Sequence, residues 1–323
     1  MQAEDVKKVA IAGAGVMGAS MAQIFAKCGY EVALYDISQE ALDRGRHLIE
    51  LNQATQVETG DITTEDSAAL TRRISFAAPN DMSCFATADL LVECIVENLD
   101  VKHAFWKAVS AAAKPDALLA TNTSGLSITK IGEAVEGPER FCGMHWFNPP
   151  HIIPLIEVIH GERTSDATAD AVYRISELIG KKPIHVSKDA PGFIANRLQL
   201  AILREAIYMK EQGIGDFDDI DRCMKYGLGF RYACLGPFEV CDHGGLDTFY
   251  HIASYLWEDL SDAKTPDGTV LGDLFEKGDY GVKSGAGFYD YSGDRADEAV
   301  RERDAMYLAM AKANPTAIAE KDA

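Results

Sequence analysis

His145 ends the apolar run Phe141–Met144, and Glu157 interrupts the apolar run Leu155-Ile156-Glu157-Val158-Ile159. A carboxylate inside such a strand costs several kcal/mol unless it finds a partner. A histidine is a partner that also does chemistry. Beside Glu157 its imidazolium form is favoured and its titration can sit near working pH, which a general base needs. Each residue has a plainer reading as well: His145 as a satisfied core histidine, Glu157 as an edge-strand carboxylate facing water. Ser124, in Thr121-Asn122-Thr123-Ser124, lies just past a strand end, where open α/β sheets hold ligands.

A second group of residues concerns a cofactor. Gly13-Ala14-Gly15-Val16-Met17-Gly18 has G-x-G-x-x-G spacing, directly after a strand pattern and at the start of a helix pattern. Gly13 permits the tight turn, Gly15 lets a pyrophosphate approach the backbone, and Gly18 lets the helix pack on the strand. The phosphates then meet the free N–H groups and the dipole at the helix start, near Val16 and Met17. Asp36 closes the second strand pattern. A carboxylate there accepts hydrogen bonds from a ribose 2′-hydroxyl and repels a 2′-phosphate, which favours NAD over NADP. The plainer readings are a structural glycine turn and a solvated turn aspartate.

These residues need a frame to position them. Val6–Ala12 reads as a first buried strand, followed by the glycine turn and an amphipathic helix to about Cys28. Glu31–Tyr35 is a second strand, and 38–75 is a long polar, helix-prone stretch. Further strand patterns are Leu90–Ile95, Leu118–Thr121, Phe141–His145, Leu155–Ile159 and Ile184–Val186, with helix patterns at 98–113 and 166–179. Strands alternating with helices imply a parallel doubly wound sheet. After Lys188-Asp189-Ala190-Pro191-Gly192 helix periodicity takes over, over 193–212 and again over Tyr250–Asp259. The reading is thus an α/β chain: a Rossmann-like domain over 1–188, an all-α domain over 189–291, and a charged, alanine-rich helical tail over 292–323.

Composition removes several classes. The chain has 323 residues, 47% hydrophobic and 25% charged, with a net charge of −19. A nucleic-acid or acidic-membrane binder needs a positive face, so both partners are excluded as expectations. No apolar run approaches the ~18–20 residues of a membrane span. Met1-Gln2-Ala3-Glu4-Asp5 is acidic, unlike a secretory leader, and the expected location is cytoplasmic. Seven scattered cysteines, with no CxxC pair and no zinc spacing, read as reduced thiols; no metal is expected.

Four motifs together carry a resemblance: Gly13–Gly18, Thr121–Ser124, Gly143-Met144-His145-Trp146-Phe147-Asn148-Pro149, and Lys188-Asp189-Ala190-Pro191-Gly192-Phe193-Ile194-Ala195-Asn196-Arg197. From about Val6 to Tyr291 the chain resembles the 3-hydroxyacyl-CoA dehydrogenase family. The resemblance implies a Rossmann domain, a helical C-terminal domain that forms a homodimer, and NAD as cofactor. It puts the catalytic pair on His145 and Glu157, with Ser124 and Asn196 holding the reacting oxygen and its neighbour. His145 takes the proton of the 3-hydroxyl as hydride leaves C3, and Glu157 orients the ring; Glu157→Gln is then expected to cost less than His145→Ala. The resemblance also implies NAD contacts at Asp36, Glu97, Lys102, Asn148 and Lys283. Read alone, Glu97, Lys102 and Lys283 are solvated charges.

Two features depart from the acyl-CoA pattern. CoA-using members typically carry lysines in the helices after the second strand, whereas Leu48–Asp61 holds no lysine and three acids. The segment Gly227-Leu228-Gly229-Phe230-Arg231-Tyr232-Ala233-Cys234-Leu235-Gly236-Pro237 is longer than in CoA-dependent relatives and contains an arginine. It and Asn148-Pro149-Pro150 resemble the free-acid branch, which includes L-gulonate 3-dehydrogenase (related to a lens crystallin) and L-carnitine dehydrogenase. Arg231 suits a bidentate grip on a carboxylate; its plainer reading is a surface arginine at a helix end. The expected reaction is therefore NAD-dependent oxidation of a short (S)-3-hydroxy acid, such as a hydroxybutyrate, a 3-hydroxy-5-oxohexanoate or a sugar acid. The alternative is the same chemistry on a 3-hydroxyacyl-CoA. A non-catalytic structural or NAD-sensing protein is a third reading, opposed by the joint presence of Ser124, His145, Glu157 and Asn196.

Overall fold

Eight strands form a sheet: β1 (Lys8–Ala12), β2 (Glu31–Tyr35), β3 (Ile74–Ala77), β4 (Leu90–Glu93), β5 (Leu118–Thr121), β6 (Phe141–Trp146), β7 (Leu155–Ile159) and β8 (Lys182–Val186). Their order in the computed structural model, which describes residues 1–313, is β3-β2-β1-β4-β5-β6-β7-β8. The first six follow the order of a dinucleotide-binding sheet. Helices α1 (Val16–Lys27), α2 (Gln39–Glu58), α3 (Thr64–Arg72), α4 (Ser83–Thr87), α5 (Leu99–Ala112), α6 (Ile128–Gly132) and α7 (Asp166–Leu178) connect the strands.

The sheet is not wholly parallel. β6 and β7 run antiparallel, with His145 directly opposite Glu157, while β7 and β8 are parallel. The cause is the short link 147–154. A parallel crossover needs a dozen or more residues, so the chain can only turn back.

The stretch 38–75 also differs from the expectation of one helical region. Gly60 (φ +76°) breaks it, α2 and α3 lie on either side, and β3 then adds to the sheet edge through Val32 opposite Ile74. Only Ile74 of β3 is buried, so its apolar signal is short.

Both faces of the sheet carry a core. One packs Met21 and Phe25 of α1 with Ile11, Leu34, Val158 and Ile175. The other packs Phe85, Trp106, Leu91, Leu119 and Phe141. Each such side chain contributes about 1.5–3 kcal/mol by burial.

The chain divides into two units, Met1–Ala195 and one beginning at Asn196. The second is helical: α8 (Ala195–Glu211), α9 (Phe217–Cys223), α10 (Gly229–Tyr232), α11 (Pro237–Gly244), α12 (Leu246–Leu256), α13 (Val270–Lys277) and α14 (Arg295–Ala313). Glu205 and Glu211 of α8 accept the amides of Ser261 and Val270, each at 2.8 Å. A π-helical turn, Met224–Leu228, joins α9 to α10, so the Arg231 segment is a continued helix and not a link between helices. Gly229 is needed there: a Cβ would lie 2.8 Å from the Met224 carbonyl oxygen. Of the expected tail, residues 314–323 lie outside the described residues. Among the described residues no helix is long and apolar enough to cross a membrane.

Candidate active site

The register of β6 and β7 makes the central pair. His145 Nδ1 lies 2.8 Å from Glu157 Oε2, and both side chains are buried. The other carboxylate oxygen, Oε1, accepts the amides of Ile194 at 3.0 Å and Ala195 at 2.9 Å. Those amides are aimed by a turn at Gly192 (φ +78°) and Phe193 (φ +52°). A left-handed phenylalanine is strained by about 1–3 kcal/mol and persists only where its surroundings fix it. Phe193 is buried, its ring centroid 5.7 Å from that of His145, and Phe147 packs on the same imidazole at 4.6 Å. Burial raises the Glu157 carboxyl, but His145 and the two amides outweigh it and hold it below the ordinary range. Glu157 is therefore an anion that fixes the tautomer: Nδ1 carries hydrogen toward Glu157, and Nε2 is left to accept a proton.

This geometry revises the expectation for Glu157→Gln. A glutamine amide must face either two backbone N–H donors or Nδ1 with its NH₂ group. The second arrangement puts the ring hydrogen on Nε2, the wrong tautomer for a base. The variant should thus lose nearly as much as His145→Ala.

Ser124 follows β5 in an exposed loop tied down at several points. Asn122 Oδ1 accepts the amide of Trp146, next to His145, at 2.7 Å. Glu97 Oε1 accepts the Thr123 hydroxyl at 2.5 Å and the amides of Ser124 and Gly125 at 3.0 and 3.2 Å. Asp189 accepts the Ser127 hydroxyl and the Thr129 amide just beyond. Of the charges expected to be solvated, Lys102 is instead buried, 1% exposed, with Nζ 2.5 Å from Glu93 Oε1 and 3.3 Å from Glu97 Oε2. Glu93 is missing from the sequence reading, although it closes an apolar strand much as Glu157 interrupts one. Its Oε2 accepts from Thr121 at 2.7 Å and from the Trp106 indole at 3.3 Å.

The glycine turn fits a dinucleotide. Apart from its chain neighbours, nothing lies within 4 Å of a Cβ built on Gly15, so the backbone there is open to a phosphate. The first amides of α1 have no acceptor inside the helix. Asp36 accepts Ala14 N–H at 2.9 Å and Ser38 N–H at 3.0 Å, one per oxygen. A carboxylate offers about four lone-pair sites, so capacity for ribose hydroxyls remains. Asn148 is exposed at the end of the His145 strand.

Asn196 opens the second unit, directly after Ala195, whose amide Glu157 holds. Lys283 and Arg231 also belong to that unit. Lys283 is exposed with Nζ 5.2 Å from the Tyr280 ring. Arg231 is exposed in α10. The described residues contain no cluster able to hold a metal.

Residues 8–190 match the NAD binding domain of 3-hydroxyacyl-CoA dehydrogenase, and 192–291 match its C-terminal domain. A 5-formyl-3-hydroxy-2-methylpyridine 4-carboxylate 5-dehydrogenase from Mesorhizobium japonicum is 34% identical over 305 residues, covering 94% of this chain and 97% of the relative. A probable 3-hydroxybutyryl-CoA dehydrogenase from Deinococcus radiodurans is 39% identical over 284 residues, 88% of this chain and all of the relative. The crystal structure of a 5-formyl-3-hydroxy-2-methylpyridine 4-carboxylic acid 5-dehydrogenase, an NAD⁺-dependent dismutase, covers 96% of this chain with a TM-score of 0.88 and 32% identity. It spans 99% of that chain.

Proposed function

The chain belongs to the 3-hydroxyacyl-CoA dehydrogenase family, and within it we propose that the substrate is a short free (S)-3-hydroxy acid, oxidised reversibly to the 3-oxo acid with NAD. The observation that carries the chemistry is the buried His145–Glu157 contact at 2.8 Å. Bound NAD⁺ supplies the acceptor for the hydride that leaves C3. His145 Nε2 takes the hydroxyl proton, and Glu157 stabilises the imidazolium that forms. Ser124 and Asn196 hold the substrate oxygens by hydrogen bonds.

Three features support a free acid. Both arginines of α2 are engaged: Arg44 pairs with Glu40 at 2.5 Å, and Arg46 lies 3.9 Å over the Phe76 ring. With no lysine over 48–61, that face offers CoA phosphates little positive charge. Arg231 is an exposed cation in a chain of net charge −19. The Mesorhizobium relative is named for a free carboxylate.

Reduction of a panel of 3-oxo acids, acetoacetate included, against acetoacetyl-CoA with NADH tests the reading. A free acid should give the highest kcat/KM; acetoacetyl-CoA giving it would establish the acyl-CoA alternative. Arg231→Met should raise KM for the acid by ~10–100-fold, equivalent to ~1.5–3 kcal/mol for a charge-assisted contact, with NAD affinity unchanged. Arg231→Lys should restore only part, since an ammonium cannot fork. An unchanged KM in Arg231→Met removes this residue from the site.

We also propose a homodimer formed through the helical unit. Among its described residues only Ile207 is buried. Leu198, Leu200 and Ile202 of α8 and Tyr250, Tyr255 and Leu256 of α12 are exposed in the single chain. Apolar surface on that scale marks an interface. Light scattering at micromolar concentration should give twice the chain mass; the mass of one chain would contradict the dimer.

A further inference from the structure

Lys181 is a buried cation of the first unit that the proposed chemistry leaves unused. It is 7% exposed, and among the described residues no carboxylate stands close enough to pair with it; burial alone pushes its ammonium down to about 8. An unpaired charge is costly to bury, and the hydrogen bonds it makes must offset that cost. Its backbone is fixed first. Helix α7 ends on Gly180 (φ +78°), whose amide returns to the Glu177 carbonyl at 2.8 Å, while that of Lys181 returns to Ser176 at 2.9 Å. This pattern closes a helix on a left-handed glycine and turns the next residue back toward the fold. The side chain then meets the link between β6 and β7. Nζ donates to the carbonyl oxygen of Pro150 and, at 2.8 Å, to that of Ile153, and it lies 5.3 Å from the centre of the Trp146 ring.

The link needs an outside donor. Pro149, Pro150 and Pro154 have no N–H. The amides of Ile152 and Ile153 both go to the Pro149 carbonyl, at 3.1 and 3.0 Å. The same link opens with Phe147, packed on the His145 imidazole at 4.6 Å, and leads into β7, which sets Glu157 opposite His145. Successive residues of a strand point to opposite faces, so Trp146 faces away from His145, toward Phe25 of α1 at 5.9 Å. Lys181 therefore grips the link from the side of the sheet that His145 does not face. We propose that Lys181 is a positioning residue for the catalytic pair: by holding the Pro150 and Ile153 carbonyls it sets the return link that keeps Phe147 on the His145 ring and β7 in register with β6. The inference rests on the proposed role of His145 as the base. Without the ammonium the two carbonyls lose their donor, and a proline-rich turn has few N–H groups to replace it. The turn then shifts, and Phe147 with it. A misplacement of about 1 Å at a reacting group can lower the rate ~100-fold.

The test compares Lys181→Met and Lys181→Gln with wild type. Methionine keeps the length and removes the donor. It also removes a buried charge that no carboxylate offsets, so the Tm should stay near that of wild type. At saturating NADH, kcat for the best 3-oxo acid should fall ~10–100-fold while its KM stays within ~3-fold. Lys181→Gln carries neutral donors on a shorter arm and should recover only part of that loss. The proton resonance of His145 Nδ1–H gives a readout independent of turnover. Its bond to Glu157 sets it far downfield, and its loss in His145→Ala identifies it. It should shift in Lys181→Met. Hydrogen exchange should locate the cause: the amides of Ile152 and Ile153 should exchange ~10-fold faster, and that of Ile11 in β1 should not change. A wild-type kcat in Lys181→Met, or a lowered kcat with the Nδ1–H resonance unmoved, would overturn the proposal. Were Lys181→Met not to fold, Lys181→Gln would carry the test, and wild-type values of both kcat and the resonance there would overturn it too. A wild-type protein that turns over neither acids nor thioesters would instead defeat the dehydrogenase reading, and the resonance and exchange results would still decide whether Lys181 sets the pair.

Discussion

Replacing His145 by alanine should lower kcat by ~10²–10⁴-fold, the usual contribution of a general base, while leaving NAD affinity near that of wild type. The imidazole is buried between Phe147 and Phe193, and its Nδ1 is committed to Glu157. Of the two ring nitrogens, only Nε2 is left to take a proton. The residues proposed to hold the dinucleotide phosphates and ribose, the glycine turn after β1 and Asp36 after β2, belong to other strands of the sheet. Loss of the ring should therefore separate chemistry from cofactor binding. Glu157→Gln is expected to fall in the same range, because the amide cannot satisfy Ile194, Ala195 and the correct imidazole tautomer together. Steady-state rates with fluorescence titration of NAD read both quantities. A His145→Ala protein keeping half the wild-type rate would remove this residue from the base role, and a Glu157→Gln protein near wild type would show that the ring needs no carboxylate to hold its tautomer.

The residues of that pair were legible in the sequence because His145 ends one apolar strand and Glu157 interrupts another, and burying charge there is costly enough to demand a partner. Their contact was not, since it depends on β7 reversing direction. That reversal follows from the short link 147–154, and periodicity reports only that a strand exists. The same logic applied to Leu90–Glu93 would have marked Glu93. Lys102 stayed hidden for a different reason. A lysine on an amphipathic helix has the same sequence signature whether its amine reaches water or a buried acid, and here it is the apposition of α5 with the end of β4 that decides. The strand β3 was lost because four residues with one buried position carry too little alternation to stand out from the polar helices before it. The π-helical turn before Arg231 left only its glycines as a trace, and glycines there read equally well as a loop.

The second large effect concerns the glycine turn, where two substitutions of the same size should fail in opposite ways. A Cβ on Gly18 would lie 1.8 Å from the Gly13 carbonyl oxygen and 3.1 Å from Cys94 Sγ. Backbone cannot yield by that amount without moving α1 off β1, so Gly18→Ala should destabilise the first unit by about 4 kcal/mol or more, the range reserved for severe overpacking. Gly15 has φ −71° and ψ −172°, a conformation alanine adopts freely, and nothing lies within 4 Å of its added Cβ. Gly15→Ala should therefore fold with unchanged or slightly raised stability, by up to ~0.4–1 kcal/mol through the unfolded chain. Its methyl group, however, occupies the space through which a pyrophosphate reaches the amides of α1. NAD affinity should drop ~100-fold. Thermal unfolding with and without NAD distinguishes the two cases: at 100 times its Kd a ligand adds about 2.7 kcal/mol to wild type, a gain that should shrink to about 0.4 kcal/mol in Gly15→Ala at the same NAD concentration. Gly18→Ala should show a lowered Tm even without cofactor. If Gly15→Ala kept the full NAD-induced shift, the phosphates would not sit against this turn, and the cofactor site would have to be sought elsewhere on the sheet.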